Sequence, residues 1–201
     1  MINIIWSYDI SHWYAFSNCR PLLYHPTDIV MKNPTSIYLL ALEKLSILFN
    51  SEKQFINYLQ VIQNKSKSAV LQSLLNTLID NSLSHLSQLN LVLKKLGVQP
   101  QGVTCEAMNG LIRENLSLIS HSSDNRVKEY ANINFLQQVN RYKSTAYTWL
   151  QTHISEHPQF IQAINIIHEI LNEEKSIATQ ITEVENTLLY SEHAHEQFVS
   201  Y

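Results

Sequence analysis

LSILFNSEKQFINYL, residues 45–59, carries apolar side chains in alternating steps of three and four, so that Leu45, Phe49, Ile56 and Leu59 fall on one line. That is the spacing of a buried helix face. The line keeps its step only if Glu52 lies on it. A carboxylate is therefore expected to point inward from the middle of a long helix.

Outward from this stretch the punctuation is sparse. All three glycines lie between Gly97 and Gly110, and the five prolines are Pro21, Pro26, Pro34, Pro100 and Pro158. Neither residue occurs from Thr35 to Leu96, from Leu111 to His157 or from Gln159 to Tyr201. An all-β chain needs a turn about every 8–12 residues, usually marked by Gly, Pro or Asn-Gly. The spacing instead predicts long helices near 35–64, 67–96, 125–154 and 158–190. Their stripes are the one above, then Leu71, Leu75, Leu78, Leu89, Val92 and Leu96, then Leu136, Val139, Ala146 and Leu150. The last runs Phe160, Ile164, Ile167, Leu171, Ala178 and Ile181. A short helix begins near Thr104, whose hydroxyl suits an N-cap, and carries Ala107, Met108, Leu111 and Ile112. Pro158 is placed in the first turn of the last helix. The expected fold is all-α, an antiparallel four-helix bundle over 35–190 with one short extra helix.

Two flanks fall outside that bundle. Residues 1–34 crowd Trp6, Tyr8, Trp13, Tyr14, Phe16 and Tyr24 around Pro21 and Pro26, an aromatic extension expected to pack on the bundle or on a partner. Residues 191–201 form a solvated tail with His193 and His195.

Composition narrows the function. With 14 Lys and Arg against 17 Asp and Glu, the chain of 201 residues has a formal charge of −3 and no basic surplus for nucleic acid. Charged residues make up 15% and apolar ones 45%, which argues against disorder. Cys19 and Cys105 make no disulfide framework, and no cysteine–histidine set has zinc spacing. No apolar run reaches the roughly 18 residues of a membrane span, and the opening MINIIW lacks the pattern of a signal peptide. A cytoplasmic protein without membrane or nucleic-acid partners is expected. Nucleophile-elbow, phosphate-loop and Cys-x-x-Cys motifs are missing, Cys105 reads as packing, and His153 and His157 read as surface residues.

The stripes are interrupted by polar side chains. Besides Glu52, the seam Leu136, Val139, Lys143, Ala146, Leu150 turns Lys143 inward, and Ile167, Leu171, Glu174, Ala178, Ile181 turns Glu174 inward. On the second helix the inward candidates are Asn81, Ser82 and His85. Each has a bland alternative at the rim, with its head group in water. Isolated charges in a dry core cost several kcal/mol each, so four helices with inward polar groups point to one shared layer. A dinuclear metal site in a bundle takes a Glu from each of two helices and a Glu-x-x-His from each of the others. Glu52, Glu174 and His85 are present, but Glu-x-x-His is not.

Four strings bring a family into view. Residues 45–54 resemble the "L-x-D-x-Y-x-A-E-x-Q" opening of the bacterial YciF-type ferritin-like family, and CEAMNGLIRE, residues 105–114, resembles its "C-E-A-M-E-G-L-I-x-E". Residues 138–143 stand where it has "V-E-H-Y-E", and 171–175 where it has "L-x-E-E". The likeness spans about residues 38–190. It implies a ferritin-like fold, a link to stress, and a dinuclear metal centre. The departures fall on acids: "E-E-T" becomes Asp80-Asn81-Ser82, the Glu of "M-E-G" becomes Asn109, and both glutamates of "V-E-H-Y-E" become Asn140 and Lys143. Glu52, Glu173 and Glu174 remain.

The expectation is a non-enzymatic homodimer with a structural or binding role, without cofactor. A polar layer of Glu52, Asn81, His85, Asn140, Lys143 and Glu174 replaces the metals, with Lys143 between the two carboxylates. The alternative is an Fe or Mn oxidoreductase or storage protein holding its ion with Glu52, Asp80, His85 and Glu174, with Glu173 a further candidate. A small molecule bound in the core or under the aromatic extension is the third reading.

Overall fold

Ser36 opens the first helix: its hydroxyl accepts the Leu39 amide, and α1 runs Ile37–Lys65. Ser68 repeats the device three residues after α1 ends, accepting from the Leu71 amide and starting α2, Ala69–Lys95. The short link between them is clamped from across the bundle, where Glu129 Oε1 accepts the backbone amides of Lys67 at 3.0 Å and Ser68 at 2.8 Å. α2 stops at Gly97, whose φ of 72° permits Val98 N–H to reach Leu93 O and Gly97 N–H to reach Lys94 O. The computed structural model describes residues 34, 36–100, 104–155 and 157–199, without the side chains of 159 and 191–199.

α3, Glu106–Ser120, is capped by Cys105 rather than the expected Thr104. The Cys105 sulfur accepts the Met108 amide and lies 3.1 Å from Tyr142 Oη, so a buried thiol satisfies an amide that the exposed Thr104 does not reach. Asp124 caps α4, Asn125–Ile154. Pro158 opens a single 3₁₀ turn, Pro158–Phe160, just ahead of α5, Ile161–Val199. Pro158 thus precedes the last helix instead of lying in its first turn, and α5 continues well past the expected end near 190. The α4 end at Ile154 also separates His153 from His157, which share no helix. His153 stacks on Trp149, while His157 packs with Tyr38 and Phe160.

Four helices enclose the core: α1 packs on α2 and α4, α5 on α4 and α2, and α3 lies against α4 and the edge of α1. The expected stripes form its walls, with two exceptions. Ala178 is exposed and Ile177 is buried in its place, and Ala107 is exposed beside the buried Met108. A period of 3.6 admits a step of three or four at each turn, and in both cases the larger apolar side chain takes the inward position. The core divides into two apolar regions. One gathers Phe55, Leu59, Leu78, Leu136, Val139 and Ile177. The other gathers Leu45, Leu48, Leu89, Leu150, Ile167 and Leu171. No helix among the described residues is long and apolar enough to cross a membrane. The aromatic extension lies outside the described residues apart from Pro34, and His193 and His195 lie where side chains are not described.

Candidate functional site

Between the two apolar regions the four long helices each contribute polar side chains: Glu52 from α1, His85 from α2, Lys143 from α4 and Glu174 from α5, all with at most 1% exposure. Lys143 Nζ lies 3.0 Å from Glu52 Oε1 and 2.6 Å from Glu174 Oε1. It also stands over the Phe55 ring, 5.1 Å from its centre. His85 Nδ1 is 3.5 Å from the same two carboxylate oxygens, and its Nε2 is 2.7 Å from Glu173 Oε2, which is half-exposed. Asn140 donates to both the backbone oxygen and Oε2 of Glu174, each at 2.8 Å. Tyr147 donates to Glu52 Oε1 at 3.0 Å.

Electrostatics follow from this packing. Burial pushes the Glu52 carboxyl up, but the Lys143 ammonium and His85 outweigh it and hold the group at about 2. Burial works against the Lys143 ammonium, yet Glu174 and Glu52 raise its pKa above the ordinary lysine value. His85 is likewise penalised by burial and raised on balance, chiefly by Glu52, although its shortest contact is to Glu173. Burial and the two carboxylates lift Tyr147 well above the usual phenol range, so it stays a donor. One ammonium between two buried carboxylates leaves a net negative charge. An imidazolium that faces carboxylates through both ring nitrogens cancels it.

Of the residues expected in the layer, or as ligands in the alternative metal reading, not all meet there. Asp80 is exposed and points away from the layer, because two residues beyond Leu78 the helix has turned about 200°. Asn81 is half-buried and makes none of the layer's hydrogen bonds. Ser82 is buried. Glu173 reaches the layer only through His85. Tyr147 was missed, although its position four residues after Lys143 puts it on the same face. A second polar group escaped the sequence too: Asn115 donates to Tyr58 Oη at 3.0 Å and to Asn132 Oδ1 at 2.9 Å. Its trace is Asn115 seven residues after Met108 and Asn132 four before Leu136.

The carboxylates and the imidazole also make the one cluster of metal-ligating side chains among the described residues. Ligand atoms of Glu52, His85 and Glu174 lie within 4.8 Å of one another. Glu52 Oε2 and His85 Nδ1 are buried without a hydrogen-bond partner among the described residues.

Four long helices around a polar layer at mid-height, with a short helix on the outside, define a ferritin-like helical bundle. The chain belongs to the family described as "Domain of unknown function (DUF892)", whose profile matches residues 38–194. It is 24% identical to Protein YciF of Escherichia coli K12 over 141 residues, 70% of this chain and 84% of that protein. Two solved structures share the fold. YcfI of Rhodopseudomonas palustris is 25% identical with a TM-score of 0.70, over 79% of this chain and 98% of that one. The E. coli stress protein YciF is 22% identical with a TM-score of 0.72, over 78% and 99%.

Proposed function

We propose that this chain is a non-enzymatic ferritin-like protein in which an ammonium group takes the place of a dinuclear metal centre, and that its role is structural or binding, within a bacterial stress response. The observation that carries the reading is the position of Lys143 Nζ, 3.0 Å and 2.6 Å from oxygens of Glu52 and Glu174. A dinuclear centre would need carboxylate oxygens at about 2.0–2.2 Å from its ions and further acids from the facing helices. α4 offers Asn140 and Lys143 at that level, and α2 offers His85 but no inward acid, Asp80 being exposed. The ammonium supplies positive charge at the point where divalent ions would otherwise supply it. The residues present do not fit two metals, and no redox step is assigned to them. The link to stress rests on the likeness to the E. coli stress protein YciF. A cytoplasmic homodimer completes the proposal: two cysteines without a disulfide framework suit a reducing compartment, and the aromatic residues of 1–34 suit an interface; light scattering behind size exclusion decides the dimer.

A second reading has its own observation in the unpartnered Glu52 Oε2 and His85 Nδ1. One Fe or Mn ion held by Glu52, His85 and Glu174 would engage both atoms if Lys143 swung aside. Asp80, exposed on the outside of α2, is not among its ligands. Elemental analysis of protein purified without chelators, followed by Mn²⁺ titration, separates the readings. The leading one expects metal far below one ion per chain and no saturable binding. A stoichiometric transition metal displaces it in favour of the second.

A further inference from the structure

Beyond the layer, at the end of the bundle where α1 runs out, a cavity of about 200 Å³ opens between α1, α3 and α4. Its inner wall holds Tyr58 and Asn132, only 5% and 6% exposed. Behind them Asn115, itself 2% exposed, donates to the Tyr58 oxygen and to the Asn132 side-chain oxygen. Both hydrogens of the Asn115 amide are thereby used, and both neighbours are held as acceptors. What remains to Tyr58 is its hydroxyl hydrogen, and to Asn132 its amide hydrogens; neither donates to a described residue, and Asn115 Oδ1 is likewise buried without a partner among them. Two hydrogen-bond donors are therefore offered together at a concave, largely apolar surface.

Charge around the opening has one dominant sign. Lys65, Lys67 and Lys128 line it, against a single acid, Glu129, one oxygen of which is occupied by the backbone amides of Lys67 and Ser68. Lys128 is half-buried and stands four residues before Asn132, hence one turn away on the same face of α4. Apolar wall is supplied by Val61, Leu116 and Ile119, the first two 39% exposed.

We propose that this cavity binds a small carboxylic acid with a hydrocarbon or aromatic body. The carboxylate accepts from Asn132 and Tyr58 and faces the Lys128 ammonium, while the body covers Val61, Leu116 and Ile119. Tyr58 lies six residues beyond Glu52, roughly 9 Å along α1, so the site stands apart from the Lys143 layer and does not depend on the function assigned above.

Octanoate is the probe, octanol its uncharged counterpart, and the full chain the sample. Calorimetry gives affinity, and nuclear magnetic resonance follows the side-chain amide of Asn132. Saturable octanoate binding that shifts that amide is expected, with octanol weaker by about tenfold, the worth of one charge-assisted hydrogen bond. Lys128→Glu is expected to weaken octanoate by at least about that factor at unchanged melting temperature, and Ile119→Trp, which fills the cavity, to abolish binding. Equal affinity for octanol and octanoate, no binding of octanoate, or an unshifted Asn132 amide overturns the proposal. So does a Lys128→Glu variant that binds octanoate as the parent does.

Discussion

Replacing Lys143 by Met keeps an unbranched apolar stem and removes the terminal ammonium, with its charge and hydrogen bonds. In the parent, Glu52 is held at about 2 against an ordinary 4.5, a gap of about 2.5 pH units, or roughly 3 kcal/mol at about 1.36 kcal/mol per unit. Breaking a buried ion pair from one side costs a similar amount, about 3–5 kcal/mol, because the remaining charge stays buried. Here two carboxylates would keep the hydrogen bonds from Tyr147 and Asn140 but only His85 as a possible counter-charge. Lys143→Met is therefore expected to lose about 3–5 kcal/mol at pH 7, read from urea denaturation followed by circular dichroism. The pH dependence gives a second check. In the parent the lowered Glu52 pKa contributes stability that is complete above 4.5 and is lost as pH falls towards 2. In the variant the Glu52 carboxyl loses the ammonium that lowers its pKa and takes up a proton more readily, so the deficit should shrink by pH 5. Adding Glu174→Gln to Lys143→Met should recover part of the loss. A Lys143→Met protein as stable as the parent at pH 7 refutes the reasoning.

Three further outcomes are expected. Tyr147→Phe removes a hydrogen bond to the Glu52 carboxylate at 3.0 Å and should cost about 1.5–3 kcal/mol in the same denaturation assay. The raised pKa of His85 means that its contribution is complete below about 6.5 and is lost as pH rises through the folded value. His85→Leu should therefore flatten stability against pH above about 6.5, and an imidazole titration by nuclear magnetic resonance should find the parent value above that of a free histidine. Gly97→Ala places a Cβ in open space but at a φ of +72°, so its expected cost is about 1 kcal/mol of backbone strain, seen as a lower melting temperature.

The helices were legible because each long one combines a three-and-four apolar step with an absence of breakers, and those two signals agree. The inward direction of Glu52, Lys143 and Glu174 was legible for the same reason: the stripes are continuous only with those residues included. Asp80 misled because the family string matches an acid there while the helix phase turns it outward, and phase decides which side chain reaches the core. Ala178 and Ile177 both satisfy a helical period, so volume chose between them. Cys105 as a cap could not be read ahead, since a sulfur rarely serves where Thr104 is one residue away. The Asn115, Tyr58 and Asn132 cluster joins three helices, and residues that meet only in the fold leave little trace along the chain.

Diffraction from crystals soaked in Mn²⁺, with anomalous differences recorded at the mid-bundle layer, tests the central claim most directly. The account predicts the Lys143 ammonium within about 3 Å of Glu52 and Glu174 and no anomalous peak between them. A peak at coordination distance from Glu52, His85 and Glu174, with Lys143 turned away, would contradict it.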